Sequence, residues 1–412
     1  MAAIIGTASN DVLFGTGEDD YFDGKAGEDA FNGSLGNDTY LVTNPGTVIV
    51  EYPREGFDKA IVSFSYSLPA NVENLDLEAG IFGRGNSLNN LLEGNRSNNV
   101  LRGVSGRDVL YGFDGNDRLD GGGGNDRLFG GGGRDTLIAG GGYDELDGGE
   151  GNDLYIVESY SFKIIERAGR SQDTLRIPLN YTLEKTGIEN LVLLGRARFG
   201  TGNAGDNTIG GNRFANLLSG LEGDDTLLGD RGSDILYGNR GGDTLRGGAG
   251  NDQLFGQTGN DRLLGEQGDD QLVGENGNDV LNGWGGGKLE RDRLTGGEGA
   301  DRFVIGQRRD SAYLGAGYAT IVDFDRSERD QIQIGSPINR YRLVNRNSIG
   351  EAKADTEIYK GRDLIAIVQD IELNRRDLIV AISLKRNPFE SIAPFFGFTR
   401  FPNQKQRLGN FS

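Results

Sequence analysis

A nine-residue register governs most of this chain. From Gly85 to Asp153 the sequence divides into eight consecutive units, starting at Gly85, Gly94, Gly103, Gly112, Gly121, Gly130, Ala139 and Gly148. Place six of these units holds Asn90, Asn99, Asp108, Asp117, Asp126, Asp135, Asp144 and Asp153. Place eight holds Leu92, Leu101, Leu110, Leu119, Leu128, Leu137, Leu146 and Tyr155. A second run keeps the register from Gly202, with Asn207, Asn216, Asp225, Asp234, Asp243, Asp252, Asp261, Asp270 and Asp279 at place six. Four extra residues stretch the next unit, Gly283 to Thr295, which contains Asp292; a regular unit carrying Asp301 follows. A shorter run opens the chain with Asp11, Asp20, Asp29 and Asp38. Units this alike stack on one another, so the register points to a solenoid.

A longer period lies over the short one. Gly36-Asn-Asp-Thr-Tyr-Leu-Val recurs as Gly151-Asn-Asp-Leu-Tyr-Ile-Val, 115 residues on, and Val72-Glu-Asn-Leu recurs as Ile188-Glu-Asn-Leu. The chain therefore reads as nonapeptide blocks over 1–41, 85–156 and 202–304, separated by inserts over 42–84 and 157–201. Runs such as Thr47-Val-Ile-Val and Ile61-Val-Ser-Phe-Ser-Tyr are strand-like, and the inserts are expected to be wider β-coils continuing the stack. Separate small domains are the alternative. Residues 305–384 read as a compact C-terminal β domain, and 385–412 as a tail with five Lys/Arg, one Glu and six Phe.

Composition narrows the function. The formal net charge is −19, which disfavours nucleic acid as a partner and favours cations. There is neither cysteine nor histidine, so a disulfide framework, the usual zinc sites, a His-Glu-x-x-His motif and a Ser-His-Asp triad are excluded. No apolar run has the length of a membrane span, and the first residues carry no signal-peptide pattern.

The repeat explains its own chemistry. Glycines at places one, two and four allow left-handed turns that aim carbonyls inward, and the acid at place six adds a carboxylate. Place eight sends one apolar side chain into the interior. Hard oxygen donors in this pattern suit calcium. Stacked coils sit ~4.8 Å apart. At an effective dielectric of ~20, two carboxylates ~5 Å apart repel by about 3 kcal/mol. A cation is needed to cancel this repulsion.

On these residues the chain resembles the repeats-in-toxin family of hemolysin-type calcium-binding proteins. The resemblance implies an all-β fold, a parallel β-roll in which two nonapeptides make one coil. It also implies calcium between each turn and the turn 18 residues later. The ligands are then the second and fourth carbonyls and the Asp of the first turn, with the first and third carbonyls and the Asp of the next. One site would combine Gly122, Gly124 and Asp126 with Ala139, Gly141 and Asp144; another, Gly248, Gly250 and Asp252 with Gly265, Gln267 and Asp270. Further turn glycines in the candidate set are Gly131 at place two and Gly106, Gly115, Gly133, Gly232, Gly241, Gly259, Gly268 and Gly277 at place four. Acidic turns paired at this spacing give about 11 ions, or 13 with Asp292 and Asp301. Each block opens with coils that depart from the pattern: Asn90, Asn99, Asn207 and Asn216 replace Asp, and Leu88, Ser97, Phe214, Ser9 and Glu18 replace a turn glycine. These coils are expected to bind metal poorly.

Three classes of function compete. The first is a secreted, calcium-rigidified structural, surface or scaffold protein exported through the type I secretion apparatus that serves the resembled family. The second is a calcium-dependent adhesion or glycan-binding module, with cell-surface polysaccharide or self-association as its partner. The third is an enzyme; repeats beginning at Gly6 leave no room for a preceding catalytic domain, so catalysis is not expected.

Overall fold

The structure, a computed structural model, describes residues 1–380 apart from 167–170, 185, 287–288, 308–309, 312, 314–315, 336–337 and 347–353. The basic tail lies outside the described residues. Each nonapeptide contributes one short strand, and the glycine turn hands the chain to the opposite face. Within Arg118–Gly123, Leu119 is buried while Arg118 stays exposed. That alternation at the strand's start selects which face is inward.

Two parallel faces result. On one, Leu110 pairs with Leu128 and Leu128 with Leu146; on the other, Leu101 pairs with Leu119 and Leu119 with Leu137. Like residues therefore stack directly over like, and the core is a double file of leucines, all fully buried. The solenoid has about 16 coils, and no α-helix occurs among the described residues. Among the described residues no helix is long and apolar enough to cross a membrane.

The insert strands belong to the same ladders. Thr39–Val42, Lys59–Val62, Asn74–Leu77 and Leu91–Glu93 pair in order, as do Leu154–Ile156, Thr174–Ile177, Asn190–Leu193 and Thr208–Gly210. Their Val62, Leu75, Leu175 and Leu191 enter the same core as the repeat leucines. Each insert interrupts only one face. The first separates Val48–Val50 from Tyr66–Ser67, and the second separates Phe162–Ile165 from Tyr181–Thr182 on the opposite face.

From Arg302–Val304 of the last nonapeptide, Gln331–Ile334 and Leu378–Val380 prolong one face in parallel. Tyr318–Ile321 and Asp363–Val368 prolong the other. That face ends in the antiparallel strands Asp355–Lys360 and Tyr341–Arg346, making a mixed sheet.

Leu128 illustrates the demand of such a narrow core. Replacing it with alanine opens a void between Leu110 and Leu146 and is expected to cost about 2–5 kcal/mol. Denaturant unfolding in saturating calcium measures this, and an unchanged midpoint would contradict the packing described.

Candidate metal centres

The turns are shaped by close approach between coils. Gly124, at place four, has φ +133°, and a Cβ there would collide with the carbonyl oxygen of Gly106 one coil earlier. In the regular Asp-bearing turns of the later blocks place two is also left-handed, even where the residue is not glycine, as at Val104 (φ 92°) and Glu266 (φ 67°). Bulky residues rarely accept that conformation, so the stack imposes it. Place one differs from expectation. Gly121 is not left-handed; its Cα lies under Asp126 Oδ2 and Ala139 O, and a Cβ would strike the carboxylate. Glycine is required there for space, not for φ.

Above these turns run two ladders of carboxylates. The amide of Asp108 donates to Asp126 Oδ1 at 2.9 Å, and that of Asp126 to Asp144 Oδ1 at 2.9 Å. The opposite edge repeats this from Asp117 through Asp135 to Asp153. In the third block Asp225, Asp243, Asp261, Asp279 and Asp301 form one row, and Asp234, Asp252, Asp270 and Asp292 the other. One oxygen of each of these acids is thus spent on the preceding coil. The other, Oδ2, is buried without a hydrogen-bond partner at Asp38, at every repeat Asp from Asp108 to Asp153, at every repeat Asp from Asp225 to Asp279, and at Asp301.

Carbonyls face the same gap. Gly122 O and Gly124 O press against Gly140 and Gly142 of the next coil, while Ala139 O and Asp126 Oδ2 both lie close above Gly121. Gly141 O accepts from Gly124 N at 2.7 Å and keeps a second lone pair. Around Asp252 the arrangement recurs: Gly250 O presses on Gly268, Gln267 O accepts from Gly250 N at 2.8 Å, and Asp252 N donates to Asp270 Oδ1 at 2.9 Å. Buried carboxylate oxygens without partners, flanked by carbonyls, fit a hard divalent cation.

The family whose pattern is described as RTX calcium-binding nonapeptide repeat (4 copies) matches residues 5–40, 84–119, 93–128, 129–156, 201–236, 228–263, 237–272, 255–287 and 287–307, together just over half of the chain. The chain belongs to this RTX family. No curated protein sequence matches it.

Not every RTX turn is alike. In the first block Asp11 Oδ2 accepts from the amide (2.6 Å) and hydroxyl (2.9 Å) of Thr7, and Asp20 Oδ2 is held the same way by Thr16. Asp11 joins Asp29, and Asp20 joins Asp38, through the ladder bond alone. Asp292 Oδ2 is bound by the Tyr313 hydroxyl. In the opening coils of the later blocks the Asn amide takes the cation's place: Asn90 Nδ2 donates to Glu73 O, Asn99 Nδ2 to Gly80 O, Asn207 Nδ2 to Glu189 O and Asn216 Nδ2 to Ala197 O. Their turns close through side chains, as where Leu88 N donates to Asn86 Oδ1 and Phe214 N to Asn212 Oδ1. The lost turn glycine is thereby replaced.

Several ladder residues escaped the nonapeptide register. Asp38 N donates to Asp58 Oδ1 and Asp58 N to Glu73 Oε2; Asp153 N donates to Asp173 Oδ1 and Asp173 N to Glu189 Oε2. Asp301 N donates to Asp330 Oδ1 beyond the last repeat. The 115-residue period carried the signal for Asp58 and Asp173, which correspond under it.

Burial pushes the repeat carboxyls of the second and third blocks upward, against the lowering effect of the donated amide. Asp108, Asp225 and Asp261 are raised to about 7, and Asp126 and Asp135 to about 6. An unfolded aspartate titrates near ~3.9, so the folded metal-free chain binds more protons between about pH 4 and pH 7. Its stability is complete below the unfolded value and is lost as pH rises through the folded values. Metal-free protein should therefore gain β structure on acidification from pH 7 toward pH 4, whereas calcium-loaded protein should lose ions. Circular dichroism and an ion count across that range check both directions.

Proposed function

We propose that this RTX protein is a secreted, non-catalytic calcium-rigidified rod that is largely unfolded in the cell and folds outside it, serving a structural or surface-associated role. The observation that carries this reading is the partnerless buried oxygen in turn after turn. Two rows of such charges repel unless cations lie between them, so calcium binding and folding are one event. Extracellular calcium modules work at ~10⁻⁴–10⁻³ M, a concentration found outside cells and not in the cytosol. Type I export, inferred from family membership alone, would deliver the chain before it folds.

Thirteen pairs of repeat aspartates are joined by a ladder bond, two of them through the irregular unit. About 11 to 13 calcium ions are therefore expected in the repeat turns at saturation. Circular dichroism should show a coil spectrum in chelator and a cooperative gain of β signal near millimolar calcium, with magnesium unable to substitute. A chelated chain that kept its β spectrum, or a saturated one holding four ions or fewer, would end this reading. Export is tested separately by ending the chain at Thr295, which should abolish secretion while synthesis continues; normal secretion would place the signal elsewhere.

A further inference from the structure

Both inserts begin with the same acidic cluster, fully buried in the first and with Glu166 half-buried in the second. Asp38, Glu51 and Asp58 bring carboxylate oxygens within 4.8 Å of one another, and Asp153, Glu166 and Asp173 do so again. The members correspond one to one across the 115-residue period. Glu51 is only 6% exposed, and Asp38 and Asp58 1% each. Asp38 Oδ2 and Glu51 Oε2 have no hydrogen-bond partner; in the second cluster the same holds for Asp153 Oδ2 and Asp173 Oδ2.

Placement makes the clusters more than crowded acids. Glu51 follows Gly33 by 18 residues, so it occupies place one of the next coil, where an RTX turn has glycine and offers only a carbonyl. Its Oε1 accepts from the Tyr40 hydroxyl, and Tyr40 fills the apolar place eight. Tyr155 holds Glu166 in the same way, and its hydroxyl accepts from Gly148 N at 2.8 Å. Tyr40 Oη, Asp38 Oδ2 and Glu51 Oε1 gather over the bare Cα of Gly33, and any Cβ there would strike all three. The tyrosine thus orients a third carboxylate into a gap where the repeat turns offer two.

We propose that these clusters are two calcium sites of three carboxylates each, seated where a repeat block meets an insert and filled before the repeat sites. Affinity of oxygen-donor calcium sites rises with the number of charged ligands, and three carboxylates meet here where a repeat turn brings two. The inference rests on the calcium reading of the RTX turns, and its test separates the two. Calorimetric titration of the chelated full chain with calcium, with bound ions counted, should reveal a tight class of two ions ahead of the larger repeat class. Glu51→Gln combined with Glu166→Gln should weaken that class by roughly tenfold or more while leaving the repeat class and the saturated β spectrum. Terbium gives an independent readout that needs no glutamate variant: its first two equivalents should show tyrosine-sensitised luminescence, lost in Tyr40→Phe with Tyr155→Phe. A single class of sites in the native chain, or a tight class indifferent to the glutamate changes and to the tyrosine changes, would overturn the proposal. No calcium binding by the native chain at all would instead overturn the reading of the repeats.

Discussion

Each repeat aspartate faces two ways. Its backbone amide is held by the acid one coil ahead, and its own Oδ1 holds the amide of the acid one coil behind. This hydrogen bond sets the turns in line, but it also buries a column of like charges at one-coil spacing. At an effective dielectric of ~20 that spacing means about 3 kcal/mol of repulsion per neighbouring pair. A core two leucines wide has little to set against it. The columns call for something that neutralises them, be it cation or proton.

The chain also contains its own neutral rungs. At Asn90, Asn99, Asn207 and Asn216 the side-chain amide donates to a carbonyl from the preceding insert, doing with hydrogen what a cation does with charge. Thr7 and Thr16 achieve a similar result for Asp11 and Asp20 with hydroxyl and amide donors. Departures from the repeat motif are therefore substitutions of one satisfying partner for another. They cluster where the chain enters a block, beside strands that no nonapeptide turn supports.

The fold and most of the carboxylate ladder were legible because the repeat is strictly local: one apolar residue and one acid every nine residues announce both. Long-range features were harder. Glu51 and Asp58 sit in an insert of strand-like sequence, and only the coil stack brings them to Asp38. Asp330 is likewise separated from Asp301 by 29 residues, with no register to connect them. The role of the place-one glycine was misread because composition suggests flexibility, whereas the requirement is room for a carboxylate. Partner choice at Asp11 and Asp20 was hidden as well, since a threonine at place two looks neutral until its hydroxyl is seen on the acid.

The two inserts interrupt opposite faces although their sequences correspond. Thr39–Val42 lies in one long sheet, whereas its counterpart Leu154–Ile156 lies in the other. A solenoid with two strands per coil reverses azimuth with every nonapeptide, so the parity of a block decides which way everything after it points. Gaining or losing a single nonapeptide would swing the downstream rod by half a revolution, turning one flank of the molecule into the other. Gaining or losing a pair would lengthen the rod and leave its orientation untouched. Block length in this protein is thus a rotary setting as well as a ruler.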